Sequence, residues 1–86
     1  MEQNKNRPVK KFKAGGVSAA VWVSKRGNMK IQSVTVDRSY KDKDGEFKNT
    51  NSLKLNDIPK AISVLMKAYE YLVSGGDEQE TEEIVI

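Results

Sequence analysis

Three glycine-bearing turns divide most of this chain into alternating runs, and that punctuation limits its fold more than any other feature. The runs VKKFKA, VSAAVWVSK, MKIQSVTVDRSY and EFKNTNSLKL are separated by Gly15-Gly16, Arg26-Gly27 and Asp44-Gly45. Apolar and polar residues alternate along each run, as in a half-buried strand, and Gly-Gly and Asp-Gly supply the positive φ that tight hairpin loops require. The simplest arrangement is a four-stranded antiparallel meander.

Beyond the runs, NDIPKAISVLMKAYEYLVSGG carries helix punctuation: Asn56 or Asp57 as N-cap, Pro59 in the first turn and Gly75-Gly76 as the stop. The expected class is therefore α+β, a ββββα domain over residues 9–74, preceded by a flexible arm over residues 1–8 and followed by a disordered acidic tail over residues 75–86. Along the helix, Ile58, Ile62, Leu65, Tyr69 and Leu72 form one apolar stripe, and Ala61, Val64, Ala68 and Tyr71 form a second beside it. One stripe suffices to cover a sheet. The second is a candidate for a partner helix, although a helix lying deep across a curved sheet could bury both.

Counting outward from two-residue turns assigns the strand faces. The Gly15-Gly16 turn opposes Phe12 to Ala19, Arg26-Gly27 opposes Ala19 to Val34 and Trp22 to Ile31, and Asp44-Gly45 opposes Val34 to Leu55 and Thr35 to Lys54. One face then collects Phe12, Val17, Ala19, Val21, Val34, Val36, Leu53 and Leu55, suited to packing under the helix. The other collects Lys11, Lys13, Ser18, Ala20, Trp22, Ile31, Ser33, Thr35, Lys48, Thr50, Ser52 and Lys54. Arg38 and Tyr40 fall by parity on the helix side, opposite Asn51 and Asn49, as a ridge by the last turn extended by Lys41 and Lys43. A β-bulge would move Tyr40 to the other face.

Charge points toward a partner. Residues 77–86 hold five acids and no bases, so the first 76 residues carry all 15 basic residues and the other seven acids, a net of +8. A body this basic favours a polyanion, because each phosphate neutralised releases condensed counterions; a lysine-rich surface that only keeps a small protein soluble is the plainer reading. With no cysteine and no histidine, disulfides, thiolate chemistry and the common zinc patterns are excluded. No apolar run approaches the roughly 20 residues of a membrane span and no signal-peptide pattern is present, so an intracellular location, cytoplasmic or nucleoid, is expected.

A flat sheet face of small hydroxyl side chains, edged by lysines and holding the one tryptophan, suits a single-stranded nucleic acid. Unpaired bases stack on aromatic rings at roughly 1 to 3 kcal/mol each while lysines follow the phosphates, and a duplex hides those base faces. Lys11, Lys13, Trp22, Lys48 and Lys54 on this face, Lys25, Arg26 and Lys30 around the second turn, and Arg38, Tyr40 and Lys41 by the third are the candidate contacts. An exposed sheet with one stray aromatic, covered by the arm or a second subunit, is the competing reading.

The DKDG turn fails as a calcium loop, since placing Asp42 and Asp44 as third and fifth ligands puts Tyr40 first and Asn51 twelfth, where carboxylates are needed. Catalysis finds no support: the body's acids are scattered through turns, arm and helix ends, and no GxxxxGK[ST] phosphate loop is present. No enzyme activity and no cofactor are expected. The tail DEQETEEIVI reads as a solubilising end, or as acids that compete with nucleic acid, or as an apolar tip, Ile84-Val85-Ile86, that docks on a protein partner as an added strand. In its acids and apolar tip it is similar to the tails of bacterial single-strand-binding proteins.

VTVDRSYKDKDGEFK followed by SLKLND and a helix resembles the C-terminal domain of the eukaryotic transcriptional coactivator positive cofactor four and its small prokaryotic, archaeal and phage relatives. The likeness runs from about Val9 to Val73, and its most specific part is Tyr40 to Glu46. It implies a four-strand-plus-helix fold, a homodimer formed through the helices, here Ala61, Val64, Ala68 and Tyr71, and single-stranded DNA held across the sheets. It also implies that Tyr40 stands at the family's stacking tryptophan, beside the turn matched by Asp42, Gly45 and Glu46, while Trp22 approximates an aromatic of the preceding strand. Lys48 and Lys54 match the basic final strand. The family's arginine three residues before the stacking position falls on Asp37, with Arg38 one place along, so Arg38 rests on its own charge and position.

The expected function is binding of single-stranded nucleic acid, DNA before RNA, with little sequence preference, in replication, repair or transcription. The alternative is a small regulatory or adaptor protein that binds a protein partner through its sheet or helix.

Overall fold

The computed structural model describes residues 7–75 and 81–85. It is an α+β fold with five strands, β1 Lys10–Ala14, β2 Val17–Arg26, β3 Met29–Lys41, β4 Phe47–Thr50 and β5 Thr81–Ile84, and one helix, α1 Ile58–Val73, entered through a 3₁₀ turn at Leu55–Asp57. The strands form a single sheet in the order β4-β3-β2-β1-β5. The first four pair antiparallel in sequence, as a meander. The four-strand expectation is corrected by β5, which comes from the segment read as tail and pairs parallel with β1, making the sheet mixed. Residues 1–6 of the arm, and residues 76–80 and 86 of the tail, lie outside the described residues.

The first hairpin has the counted register, with Phe12 opposite Ala19 and Lys11 opposite Ala20. The second differs. Its two-residue loop is Gly27-Asn28, so Arg26 opposes Met29, Ala19 opposes Val36 and Trp22 opposes Ser33. Gly27 has φ 59°, as Gly15 has φ 62°. Both loops thus place glycine at the first central position, where the left-handed conformation is required. A slip of two residues leaves every side chain on its counted face.

The third hairpin slips by one. The Gly45 amide donates to the Asp42 carbonyl and the Asp42 amide to the Glu46 carbonyl, which closes a three-residue loop in which Gly45 has φ 86°. This is a turn followed by a left-handed residue, the bulged alternative to a two-residue loop. Arg38 therefore opposes Thr50 and Tyr40 opposes Lys48. An odd shift exchanges the faces of β4: Lys48 and Thr50 join the helix side, and Phe47 and Asn49 take the other. The strand ends at Thr50, so Ser52, Leu53, Lys54 and Leu55 are not sheet residues; Leu53 packs on the core margin and Leu55 is 85% exposed.

The core lies between α1 and the β1–β2 hairpin, built from Phe12, Ala14, Val17, Ala19, Val21, Ala61, Val64 and Ala68. Here the two helix stripes exchange the roles assigned to them. Ala61, Val64 and Ala68, expected at a dimer interface, are buried against the chain's own sheet, and Tyr71 meets Phe12 edge-on with ring centroids 6.2 Å apart. Ile58, Ile62, Leu65 and Tyr69 are exposed. The small residues of both layers explain the choice, since Ala61 and Ala68 of the helix and Ala14 and Ala19 of the hairpin share one core and allow a close approach that the bulkier stripe would prevent.

Candidate nucleic-acid interface

The sheet surface away from α1 is built by strand alternation from Lys11 and Lys13 of β1, Ser18, Ala20 and Trp22 of β2, Ser33, Thr35, Asp37, Ser39 and Lys41 of β3, and Phe47 and Asn49 of β4. Across it run the rows Lys11-Ala20-Thr35 and Lys13-Ser18-Asp37. Ser18 and Ala20 are buried, short side chains flanked by longer ones, so β2 forms the floor of a shallow trough.

Trp22 closes one end of that floor. Its side chain is partly exposed, and its Nε1–H donates to Thr35 Oγ1 at 2.9 Å, tying the indole to the neighbouring strand. At the other end Phe47 is 75% exposed, with Lys41 Nζ 5.5 Å from its ring centroid. Next to it Ser39 Oγ bonds Asn49 Oδ1 at 2.9 Å. The trough thus has an aromatic ring at each end and hydroxyl, amide and ammonium groups between. Asp37 is the one acid among these positions.

Sequence reasoning placed Phe47 in no site. The signal that reveals it is the three-residue loop, which brings Phe47 opposite Lys41 on this surface.

The other predicted contacts fall elsewhere. Arg38, Tyr40 and Lys48 stand on the helix side: the Arg38 guanidinium lies 5.4 Å from the Tyr40 ring centroid, and Tyr40 and Lys48 are direct cross-strand partners. Trp22 and Tyr40 therefore belong to opposite faces. Arg38 Nε is 3.0 Å from Asp57 Oδ2 and also donates to the Ser52 carbonyl, while Lys48 Nζ is 3.1 Å from Asp42 Oδ2. Both cations are already matched by carboxylates.

Asp42 also accepts from the Asp44 amide at 2.9 Å and the Glu46 amide at 3.0 Å. The Glu46 amide first, and then Lys48, hold its carboxyl below the ordinary aspartate value of 3.8. The DKDG acids thus serve the loop. Lys25, Arg26 and Lys30 cluster at the exposed tip of the β2–β3 hairpin, and they and Lys11 have no ion-pair partner among the described residues. Lys54 precedes the 3₁₀ turn, its amide donating to Asp57 Oδ2 at 2.8 Å.

No group of three or more potential metal-ligating acidic, histidine or cysteine side chains occurs among the described residues. Nor, among them, is any helix long and apolar enough to cross a membrane. No protein-family model, curated protein or solved structure matches the chain.

Proposed function

We propose that the chain binds single-stranded nucleic acid, DNA before RNA, along the trough between Trp22 and Phe47. The observation that carries this reading is the pair of accessible rings at the ends of a small, polar floor bordered by Lys11, Lys13 and Lys41. Bases stack on the rings whatever their identity, which gives affinity with little sequence preference. The lysines and the hairpin tip, with Lys25, Arg26 and Lys30, take the phosphates. Arg38 and Lys48, engaged with Asp57 and Asp42 on the other face, and Tyr40 beside Arg38 there, contribute less.

The reading includes a homodimer through α1, using the outward stripe in place of the buried one. Ile58, Ile62, Leu65, Met66, Tyr69 and Val73 form an uncharged exposed surface running the length of the helix. A contiguous apolar surface of this kind is uncommon on a monomer, and it is self-complementary about a two-fold axis. Enzymatic chemistry has no part in the proposal.

Titration of Trp22 fluorescence with single-stranded and duplex oligonucleotides of the same sequence tests the binding. The expected result is quenching by the single strand at low salt, much weaker quenching by the duplex, and a steep loss of affinity as salt rises. No response to any single strand would shift the assignment to a protein-binding adaptor.

A further inference from the structure

The outer edge of the sheet carries a contact that the binding surface leaves unexplained. β1 would be an edge strand with unpaired backbone groups, and β5 covers it in parallel register, Lys10 beside Thr81, Lys11 beside Glu82, Phe12 beside Glu83 and Lys13 beside Ile84. One residue past the strand, the Val85 amide donates to the Lys13 carbonyl at 2.7 Å, and Val85 packs against the core margin. The contact is specific in chemistry as well as in backbone. An open groove of about 500 Å³ lies between β1 and the end of α1, lined by Phe12 and Tyr71, by Lys10 and Lys67, and by Glu70 and Ser74. The Glu83 carboxylate enters it, 3.8 Å from Lys10 Nζ and 3.9 Å from Lys67 Nζ. Glu83 between Lys10 and Lys67, with Val85 two positions later on the core margin, is what this groove holds, and Glu70 also lines it.

The same contact is built to be weak. Both ion pairs lie near the outer limit of contact, at side chains 17 to 44% exposed, so salt screens them readily. The strand has four residues, and Ile84 is 62% exposed. Yet adjacent strands run about 4.8 Å apart, well inside a Debye length of roughly 10 Å at 0.1 M salt. In backbone register the docked strand sets Glu82 beside Lys11 and Glu83 beside Phe12, so docking brings net negative charge alongside the strand that borders the trough with Lys11 and Lys13.

We propose that the β1 edge and the Lys10–Lys67 groove form a docking site for the chain's own acidic C-terminal strand, and that the docked strand and single-stranded nucleic acid oppose one another's binding. The proposal rests on the functional reading above. Coupling of this kind is reciprocal: docking weakens nucleic-acid binding by the factor by which nucleic acid weakens docking. Binding of a single strand thus releases a strand-forming segment tipped by Ile84 and Val85.

The test uses a charge-neutral variant of the full chain. Val85→Pro removes the amide that bonds Lys13 and the packing of Val85 while leaving every charge in place. Affinity for an oligo-dT strand is expected to rise about fivefold over wild type at low salt, with the difference closing at high salt. Glu83→Gln should shift affinity in the same direction by a smaller factor. In the wild type, amide hydrogen exchange over Thr81–Val85 should accelerate when oligo-dT is added. Equal affinity of wild type and Val85→Pro, with both binding, overturns the coupling alone. Failure of both to bind any single strand overturns it together with the functional reading beneath.

Discussion

Trp22 and Thr35 are joined across β2 and β3 by a hydrogen bond of 2.9 Å from the indole nitrogen to the threonine hydroxyl, and the bond fixes one edge of the ring while the side chain stays partly exposed. A ring held in this way loses little conformational freedom on stacking. Thr35→Val removes the acceptor at nearly constant shape and should lower stability by about 0.5 to 1 kcal/mol in chemical denaturation. Trp22→Ala and Phe47→Ala should each weaken single-strand binding by about 1 to 3 kcal/mol without unfolding the domain. Tyr40→Ala, on the opposite face, should have the smallest effect of the three.

The Arg38–Asp57 pair at 3.0 Å, with both side chains more than four-fifths buried, joins the C-terminal part of β3 to the N-terminus of α1. Asp57 also accepts from the Lys54 amide, so one carboxylate fixes both the strand and the entry to the helix. Arg38→Ala is expected to cost about 1 to 2 kcal/mol of stability, and a double-mutant cycle with Asp57→Ala should show that most of the loss is shared. The affinity for single strands, measured where both variants remain folded, should change by less than it does for Trp22→Ala.

Acid should loosen the third hairpin through Asp42. Its carboxyl titrates lower in the folded state than the ordinary 3.8, chiefly because it accepts from the Glu46 amide and then from Lys48. Above that ordinary value both states are ionised and the contribution is complete. As pH falls below it, the unfolded chain takes up the proton first, and the contribution is lost through the folded-state value. Thermal unfolding of wild type and Asp42→Asn, followed from pH 6 downward, should show a gap that is constant down to about pH 4 and closes below it.

The helix stripes make a paired prediction. Val64 is fully buried, so Val64→Ala should cost about 2 to 3 kcal/mol through lost burial and the cavity left behind. Leu65→Glu falls on the exposed stripe and should leave the monomer folded while halving the molar mass measured by light scattering. A folded chain of unchanged mass would remove the helix from the dimer proposal.

Much of the fold was legible because hairpin chemistry is local. Gly15-Gly16 gave the first register outright, and alternation placed Phe12, Val17, Ala19, Val21, Val34 and Val36 on the helix side despite the two-residue slip at Gly27-Asn28. Requiring glycine at the first central position of a two-residue loop would have removed that slip. The Asp-Gly turn misled, because Asp44-Gly45 also fits a three-residue loop whose left-handed residue is Gly45, and a difference of one residue moved Lys48 off the trough and Phe47 onto it. Helix orientation was not legible from hydrophobicity, which favours the stripe of Ile58, Ile62 and Leu65; it follows from size, a property of two surfaces in contact that no single segment carries. The edge strand Thr81–Ile84 was hidden for a related reason, since an acidic segment forms a strand only where lysines such as Lys10 and Lys67 await it.

Mapping a bound single strand onto the two faces of the sheet by amide and side-chain chemical-shift perturbation tests the central claim most directly. The expected result is that oligo-dT perturbs Lys11, Ala20, Trp22, Ser33, Thr35 and Phe47, with the Trp22 indole N–H among the largest changes, and leaves Arg38, Tyr40 and Lys48 close to their free positions. Perturbation confined to Arg38, Tyr40 and Lys48, with the Trp22 indole unmoved, would contradict it.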